Sequence, residues 1–465
     1  MEGSRGLGDV YKRQTGNCHS SRLKKWMGDI NNEPNGGVRM NIKRMMMATA
    51  VAVSVATPAL AELVIPSLVY RTGAYGPNGI PYADGYADYF ALLNERDGGI
   101  GGEMVNLIEC ETAYNTEKGV ECFEATKDLG SLVYQPLSTG ITYQLIPKAT
   151  AADIPILSMG YGRTSAANGR VFSHIFNFPG NYWSAASAVI NHILDQENGD
   201  IKGKKIALVY HNSAYGKEPI RTLEELAKKH GFDLSLLPVD HPGQEQKSQW
   251  LQLRREKPDY ITMWGWGVMN QVAIQEAANI RFPMEKFIGV WWSGSENDVI
   301  PAGMKADGYK ALAMHNTGMD YPLYDDLKKY LYDTGKASGE HAGTVLYSRG
   351  MYAGMLAAEG IKTAQKMTGK SNITAGDLRD GFEALEMTEE KMASIGMPNF
   401  GPSFKVSCES HGGPMVTAIQ QWDAKNKTWS LITPFSPGDM DVINRLIEED
   451  SAAYAAENNL SERCG

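Results

Sequence analysis

Short apolar segments alternate along this chain with longer segments in which the apolar residues recur at helical spacing. Residues 63–70 form the first apolar segment, and Tyr82, Tyr86, Phe90 and Leu93 then fall on one helical face. This alternation is typical of parallel β-sheets covered by helices on both faces, with right-handed connections. The other strands predicted in the first two thirds of the chain are 104–108, 132–134, 155–159, 205–210, 234–239, 260–264 and 287–290, and the helices between them are 116–129, 141–152, 182–197, 217–230, 248–257 and 270–279.

The last third of the chain follows a different pattern, in which long amphipathic segments replace the short alternating ones. Helices are predicted over 323–332, 346–367 and 374–385. The apolar segments 416–422 and 429–432 flank a run of turn-forming residues and predict a β-hairpin. The two alternating series that precede this region indicate two α/β lobes, each with its own parallel sheet.

Composition narrows the class of protein. The chain has 465 residues, of which 43% are apolar and 21% charged, so it is not a disordered chain. A net charge of -9 argues against a protein that binds nucleic-acid phosphates, which needs a basic surface. No apolar run reaches the length of a membrane-spanning helix, which excludes a protein with several such helices.

A segment near the start of the chain has the layout of a secretory signal. Two basic residues precede the uncharged apolar stretch 45–60, and the small residues Ala59 and Ala61 form a cleavage box. We therefore predict a signal peptide over 40–61, cleaved near Ala61, with a buried core helix as the alternative. Residues 1–39 show no periodicity and are predicted to be a non-native or disordered leader.

The cysteines fit an oxidising compartment. Removal of the leader leaves four of the five cysteines, an even number. Cys110 and Cys122 are close in sequence and are predicted to pair, which leaves Cys408 to pair with Cys464; four free buried thiols are the alternative. No Cys-x-x-Cys pair occurs, so zinc and thioredoxin chemistry lack support, and we predict neither a metal site nor a cofactor.

Motifs of common enzyme classes are absent from the sequence. There is no P-loop, no G-x-S-x-G nucleophile elbow and no H-E-x-x-H zinc motif. The glycine run 98–102 comes before a predicted strand, whereas a dinucleotide-binding glycine motif follows one. The sequence therefore predicts a protein that is not an enzyme.

Ligands of open parallel sheets bind beyond the carboxyl ends of the strands, so the loops there carry the candidate chemistry. The segments around these loops are TGAYGPNG (72–79), LNERDGGIGGEMVNLIECE (92–111), PLSTG (136–140), IPILSMG (154–160), KKIALVYHNSAYGKE (204–218), KPDYITMWGWG (257–267) and FIGVWWSGSE (287–296). In this order they resemble the leucine/isoleucine/valine-binding family, the substrate-binding proteins of branched-chain amino acid-type ABC transporters. The resemblance runs over essentially the whole chain after residue 61.

That resemblance implies a type I periplasmic binding protein, an α/β fold of two Rossmann-like lobes with parallel sheets joined by three crossovers. The implied protein is a periplasmic monomer that captures an amino acid or related small carboxylate by hinge closure and delivers it to the permease of an ABC importer. A secreted module that senses the ligand for a membrane receptor is the alternative. The expected bounds are 62–179 plus 318–403 for lobe one, 180–317 plus 404–465 for lobe two, and crossovers near 178–181, 315–319 and 402–407.

The resemblance also implies which residues contact the ligand. Ser138 and Thr139 precede a predicted helix, whose N-terminus suits a carboxylate, although the same hydroxyls are equally suited to N-capping. Gly160 and Tyr161 lie in the segment where backbone N–H groups of the family approach the ligand. The residues that match aromatic positions of the family's site, with ordinary packing as the alternative, are Tyr75, Tyr215 and Trp266.

The chain departs from the family where amino-acid binders carry a carboxylate for the ligand's ammonium group. Here it has Trp291 and Trp292, and Glu296 follows shortly after. Because an unpaired buried cation is costly, the ligand is either a carboxylate without an ammonium group, which we slightly favour, or an amino acid held by cation–π contacts and Glu296. An aromatic-rich pocket is expected from Trp264, Trp266, Trp291 and Trp292.

Overall fold

Parallel strands dominate residues 62–464, the part of the chain that the computed structural model describes. The predicted leader and signal peptide lie outside these residues. The strands are β1 (Glu62–Val69), β2 (Met104–Glu111), β3 (Ile156–Leu157), β4 (Ile175–Phe176), β5 (Lys205–His211), β6 (Asp233–Val239), β7 (Tyr260–Trp264), β8 (Phe287–Gly289), β9 (Lys310–Ala313), β10 (Glu386–Met387), β11 (Phe404–Lys405), β12 (Val416–Asp423), β13 (Thr428–Leu431) and β14 (Ser436–Pro437).

The α-helices connect the strands and close the chain. None of those in residues 62–464 combines the length and the apolar character needed to cross a membrane. They are α1 (Gly76–Leu92), α2 (Thr116–Thr126), α3 (Thr139–Ala152), α4 (Tyr182–Gln196), α5 (Ala214–Lys217), α6 (Ile220–His230), α7 (Lys247–Glu256), α8 (Val268–Asn279), α9 (Glu296–Val299), α10 (Pro322–Leu327), α11 (Val345–Thr368), α12 (Ala375–Glu383), α13 (Glu389–Ile395) and α14 (Met440–Asn458).

The largest sheet has the strand order β13-β12-β9-β8-β7-β5-β6, and β14 pairs with β12. The strands from β6 to β9 in this order are parallel, as expected for strands joined by helical connections. β12 runs antiparallel to β9 and forms the predicted hairpin with β13, in which Trp422 lies opposite Trp429. The mixed α/β fold with a mainly parallel sheet confirms the predicted fold class.

The N-terminal strands also pair in parallel. β1 pairs with β2 along its full length, and β3 pairs with β4. Segment 131–135, which contains the predicted strand 132–134, forms only single bridges, two to β1 and one to β3. These bridges give the parallel order β2, β1, segment 131–135, β3 and β4, so the carboxyl ends of all these segments face the same edge.

Two predicted helices are interrupted in the structure. The helix predicted over 217–230 begins only at Ile220, as α6, and Lys217 instead ends the short helix α5; Pro219 between the two has no N–H with which to continue α5. The segment predicted as a helix over 323–332 is α10 followed by a π-helical turn at Lys328–Tyr332.

Two elements lack a clear sequence signal. β9 consists of Lys-Ala-Leu-Ala, without the β-branched or aromatic residues that favour strands, yet all four residues are buried beside β8 and β12. α14 lies beyond the last predicted element, and its buried apolar residues are confined to the first half of the helix. Those residues are Val442, Ile443, Leu446 and Ile447.

Helices α1 and α11 approach each other so closely that glycine is required on both. A Cβ atom on Gly350 would lie 1.9 Å from the carbonyl oxygen of Tyr82, and one on Gly85 would lie 2.0 Å from that of Tyr347. Glycine has no Cβ, so only glycine permits this backbone contact. The pair therefore fixes α11 against the helix that follows β1.

Both predicted disulfides are present in the structure. Cys110 at the end of β2 pairs with Cys122 on α2, and Cys408 pairs with Cys464 near the end of the chain. The Cα atoms are 5.8 Å apart in each pair. The second disulfide ties the segment after α14 to the segment after β11.

Loss of the longer disulfide is expected to destabilise the protein more than loss of the shorter one. Cys408 and Cys464 are 56 residues apart and Cys110 and Cys122 are 12 apart, so the chain-entropy model gives about 4 kcal/mol and about 3 kcal/mol for their contributions. Urea unfolding of the two double-serine variants measures both values. Equal midpoints for the wild type and the variant without the 408–464 pair would contradict this expectation.

Candidate functional site

A cavity lies beyond the carboxyl ends of β1, β3, β7 and β8. Tyr70 directly follows β1, Tyr161 comes shortly after β3, and Trp266 and Trp292 follow β7 and β8. Seven of the ten lining residues are aromatic. The lining consists of Tyr70, Tyr114, Leu137, Ser138, Thr139, Tyr161, Tyr182, Tyr215, Trp266 and Trp292.

Hydroxyl groups meet at one side of the cavity, at the N-terminus of α3. Ser138 is the N-cap of this helix, and its Oγ accepts the Ile141 N–H at 3.4 Å. The Oγ1 of Thr139 accepts the Gly162 N–H at 3.2 Å. Each hydroxyl therefore accepts a backbone N–H and keeps its own O–H to donate. A helix N-terminus beside two hydroxyl groups that can donate suits an anion.

Hydrogen bonds hold the lining tyrosines in place. The hydroxyl of Tyr161 accepts the backbone N–H of Leu137 at 2.9 Å, and the hydroxyl of Tyr215 donates to the carbonyl of Gly265 at 2.9 Å. Burial raises the pKa of both phenols well above the ordinary value. Both side chains are therefore neutral, and they present ring surfaces to the cavity.

The tryptophans are anchored through one carbonyl. The indole N–H groups of Trp291 and Trp292 both donate to the carbonyl oxygen of Gly160, at 2.8 and 3.1 Å. Trp292 packs edge-to-face against Trp266, with ring centroids 5.5 Å apart. The indole nitrogen of Trp266 is buried and has no hydrogen-bond partner within residues 62–464. A buried unpaired donor beside a cavity is a candidate contact for an acceptor on a ligand.

The cavity lining contains no Asp, Glu, Lys or Arg. Glu296 lies outside it, and its carboxylate accepts the backbone N–H of Val345 at the start of α11, at 3.1 Å. Arg349, on the same helix, also lies outside the lining, and its guanidinium carbon is 5.0 Å from the ring centroid of the lining residue Trp292. Within the described residues, no cluster of three or more His, Cys, Asp or Glu is arranged to hold a metal ion.

Comparison with known proteins identifies the family. Residues 62–427 match the family model described as periplasmic binding protein, which is more than half of the chain. The chain belongs to this family. No curated protein matches the sequence of this binding protein.

Solved structures share the fold of the binding protein. A protein from the Pseudomonas fluorescens group, described as an ABC transporter permease, is 38% identical over 87% of this chain and 99% of its own, with a TM-score of 0.80. A branched-chain amino acid ABC transporter from Thermus thermophilus with bound valine is 19% identical over 83% and 98%, with a TM-score of 0.70. A solute-binding protein from R. palustris in complex with benzoate is 17% identical over 82% and 98%, with a TM-score of 0.65.

Six of the eight residues expected to contact a ligand lie together in the lining of the binding protein. Gly160 lies outside the lining and contributes the carbonyl that anchors the two indoles. Tyr75 also lies outside it, and its hydroxyl is 2.7 Å from His211 Nε2 and 2.6 Å from His241 Nδ1. The six lining residues are Ser138, Thr139, Tyr161, Tyr215, Trp266 and Trp292.

Four further lining residues were not expected. Leu137 and Tyr114 lie in loops at strand ends, where position alone does not distinguish them from their neighbours. Tyr70 ends the first predicted strand and Tyr182 begins a predicted helix, so neither belongs to the loops that were expected to carry the site. Tyr182 is the first residue of α4, and its ring stacks on Trp291 at 5.9 Å. Of the four tryptophans expected to line the pocket, Trp264 and Trp291 lie outside the lining.

Buried carboxyl groups of the binding protein lie outside the lining. Glu218 accepts hydrogen bonds from the Tyr143 hydroxyl and the Thr164 hydroxyl, and Asp298 accepts from the Asn270 amide. Burial raises the pKa of Glu218 to about 7 and that of Asp298 to about 6. Both groups therefore change charge near pH 6 to 7.

Glu218 is expected to make the protein less stable as the pH rises. Its pKa is about 7 in the folded protein and 4.5 ordinarily, so the folded state holds the proton more tightly. Its contribution to stability is present in full below pH 4.5 and is lost as the pH rises through 7. The unfolding free energy of the wild type relative to Glu218→Gln should fall by on the order of 2 kcal/mol between pH 5 and pH 8. Chemical denaturation at both pH values, with the exposed Glu245→Gln as control, checks this; an unchanged difference would contradict it.

Proposed function

We propose that this protein is the periplasmic solute-binding component of an ABC importer, and that it captures a small carboxylate lacking an ammonium group. The observation that carries this proposal is a cavity with hydroxyl donors at a helix N-terminus, aromatic walls and no carboxylate in its lining. In this proposal the ligand is bound and released without chemical change, and the mature chain begins after the predicted signal peptide.

The hydroxyl side of the cavity supports the carboxylate end of the ligand. The hydroxyl groups of Ser138 and Thr139 can each donate to a carboxylate, since their oxygens accept backbone N–H groups and each hydroxyl keeps its own proton. The N-terminus of the 14-residue helix α3 adds its positive dipole end. The unpaired indole N–H of Trp266 supplies a third donor.

The aromatic walls support an apolar body on the ligand. The rings of Tyr161 and Trp266 each pack against Trp292, with centroids 6.1 and 5.5 Å apart. Burial of apolar surface against such rings favours aromatic or branched aliphatic groups.

The lack of a carboxylate in the lining argues against an amino acid. Glu296, the candidate partner for an ammonium group, bonds to Val345 at the start of α11 and lies outside the cavity. A ligand ammonium would contact aromatic faces and hydroxyl oxygens but no carboxylate, which offsets the loss of its hydration poorly. The valine-bound and benzoate-bound structures show that proteins of this fold accept both ligand classes.

Hinge closure of two lobes is the proposed means of capture. Lobe one, 62–179 plus 318–403, would supply Tyr70, Ser138 and Tyr161 among others, and lobe two, 180–317 plus 404–465, would supply Tyr182, Tyr215, Trp266 and Trp292. Closure is favoured by a ligand that contacts both sets of residues at once. The closed form would then be recognised by the permease.

Pairs of compounds that differ only in the amino group test the proposed ligand class. Isothermal titration calorimetry compares 4-methylpentanoate with leucine and 3-phenylpropanoate with phenylalanine, and benzoate is titrated separately. We expect the acids and benzoate to bind and the amino acids not to bind. Tighter binding of leucine or phenylalanine than of its matched acid would overturn the ligand class, and no binding of any acid would overturn the carboxylate proposal itself.

A further inference from the structure

Arg349 is a fully buried cation without an acidic partner in the described part of the chain. Its side chain is 0% exposed, on the first turns of α11. The guanidinium donates to the carbonyl oxygen of Trp291, and its Nε donates to His315 Nε2 at 3.3 Å. The carbonyl carries no charge, and His315 is neutral because burial and the nearby guanidinium lower its pKa to about 3. The positive charge is therefore hydrogen-bonded but not neutralised.

This charge lies one side chain away from the cavity. The Arg349 guanidinium carbon is 5.0 Å from the ring centroid of Trp292, which forms part of the lining. The side chains between the guanidinium and the cavity exclude water, so little solvent screens the charge there. The field of Arg349 therefore reaches the space in which a ligand would bind.

Glu296 and Asp298 are the acidic groups whose charges act most strongly on Arg349. Burial raises the pKa of Glu296 to about 7 and that of Asp298 to about 6, so near neutral pH Glu296 is only partly charged and Asp298 is mostly charged. Asp298 is in addition held by Ser295 and Asn270. Neither carboxylate forms an ion pair with Arg349, so a bound anion would be an additional partner for the charge.

We propose that Arg349 makes the cavity select anionic over neutral ligands, acting across the Trp292 ring. This inference rests on the proposed function and names the residue that sets the charge of the ligand. The alternative role for Arg349 is structural, namely to tie the Trp291 carbonyl to α11. A structural role predicts equal losses for charged and neutral ligands of the same shape, whereas charge selection predicts unequal ones.

Benzoate and benzamide provide such a matched pair of ligands. Their dissociation constants are measured by calorimetry for the wild type, Arg349→Gln, Arg349→Lys and Lys310→Gln, which removes a buried cation bonded to His192 outside the cavity lining. We expect the wild type to prefer benzoate, Arg349→Gln to lose at least ten-fold of that preference, and Arg349→Lys and Lys310→Gln to retain most of it. An unchanged preference in Arg349→Gln would overturn the inference.

A second pair of variants leaves Arg349 in place and applies if its replacement prevents folding. His315→Glu puts a carboxylate next to the guanidinium Nε, and His315→Gln keeps the partner neutral. We expect His315→Glu to lose preference for benzoate and His315→Gln to keep it. Equal preference in both variants would overturn the inference, while a wild type that binds neither compound would instead count against the proposed function.

Discussion

The Ser138→Ala, Thr139→Val double variant is expected to bind the carboxylate ligand at least about a hundred-fold more weakly than the wild type. Each hydroxyl can donate its proton to a carboxylate at the N-terminus of α3. A hydrogen bond to a charged group contributes about 1.5–3 kcal/mol, and about 1.4 kcal/mol corresponds to a factor of ten in affinity. Calorimetric titration with the tightest acid of the ligand panel measures the loss.

A matched control separates this effect from loss of the helix cap. Ser138 caps α3, and its removal alone costs about 1 kcal/mol of stability. Thr374 caps α12 in the same way, since its Oγ1 accepts the Asp377 N–H at 3.1 Å, and it lies outside the cavity lining. Thr374→Ala should therefore lose comparable stability and keep its affinity. If the Ser138→Ala, Thr139→Val double variant bound the acid as tightly as Thr374→Ala and the wild type do, the N-terminus of α3 would not bind the carboxylate.

The Gly350→Val variant is expected to yield little folded protein. The new Cβ would lie 1.9 Å from the carbonyl oxygen of Tyr82, an atom of the α1 backbone that cannot move without displacing the whole helix. Overpacking of this kind costs ~3 kcal/mol or more, a large part of the ~5–15 kcal/mol by which folded proteins are stable. Soluble yield, circular dichroism and urea unfolding measure the loss.

Another glycine of α11 provides the control. A Cβ on Gly354 would lie 3.1 Å from the side chain of Tyr89, which can shift slightly. Gly354→Ala should therefore fold, with a small change in stability. A folded Gly350→Val with near wild-type stability would show that α1 and α11 can separate without cost.

The alternation of apolar segments was sufficient to predict the parallel strands from β5 to β8 to within about two residues, because each is a short, mainly apolar segment between helical ones. β9 could not be predicted from its residues, since burial between two neighbours stabilises it where its strand propensity does not. Segment 131–135 shows the opposite case, an apolar run that makes only single bridges. Local pattern thus identifies strands that carry their own signal, and tertiary contacts decide the others.

The loops at strand ends contribute much of the cavity lining, because parallel strands bring those loops to one edge of a sheet. Ser138, Thr139 and Trp266 could be predicted on this ground. Tyr182 could not, since it begins a helix and reaches the cavity only through the way α4 packs. The position of Glu296 also depends on tertiary structure, as its bond to Val345 joins segments 49 residues apart.

The contact of Tyr75 with two histidines has a consequence for where protons reside. One phenol O–H brings a single proton to the ring nitrogens of His211 and His241, so both short contacts are hydrogen bonds only when one imidazole is the tautomer that donates to the phenol oxygen. The other nitrogen of His211 lies 2.7 Å from the Ser213 hydroxyl. The donor and acceptor roles of these four side chains are thus coupled. If one hydrogen bond reverses its direction, the other hydrogen bonds of the group must reverse as well.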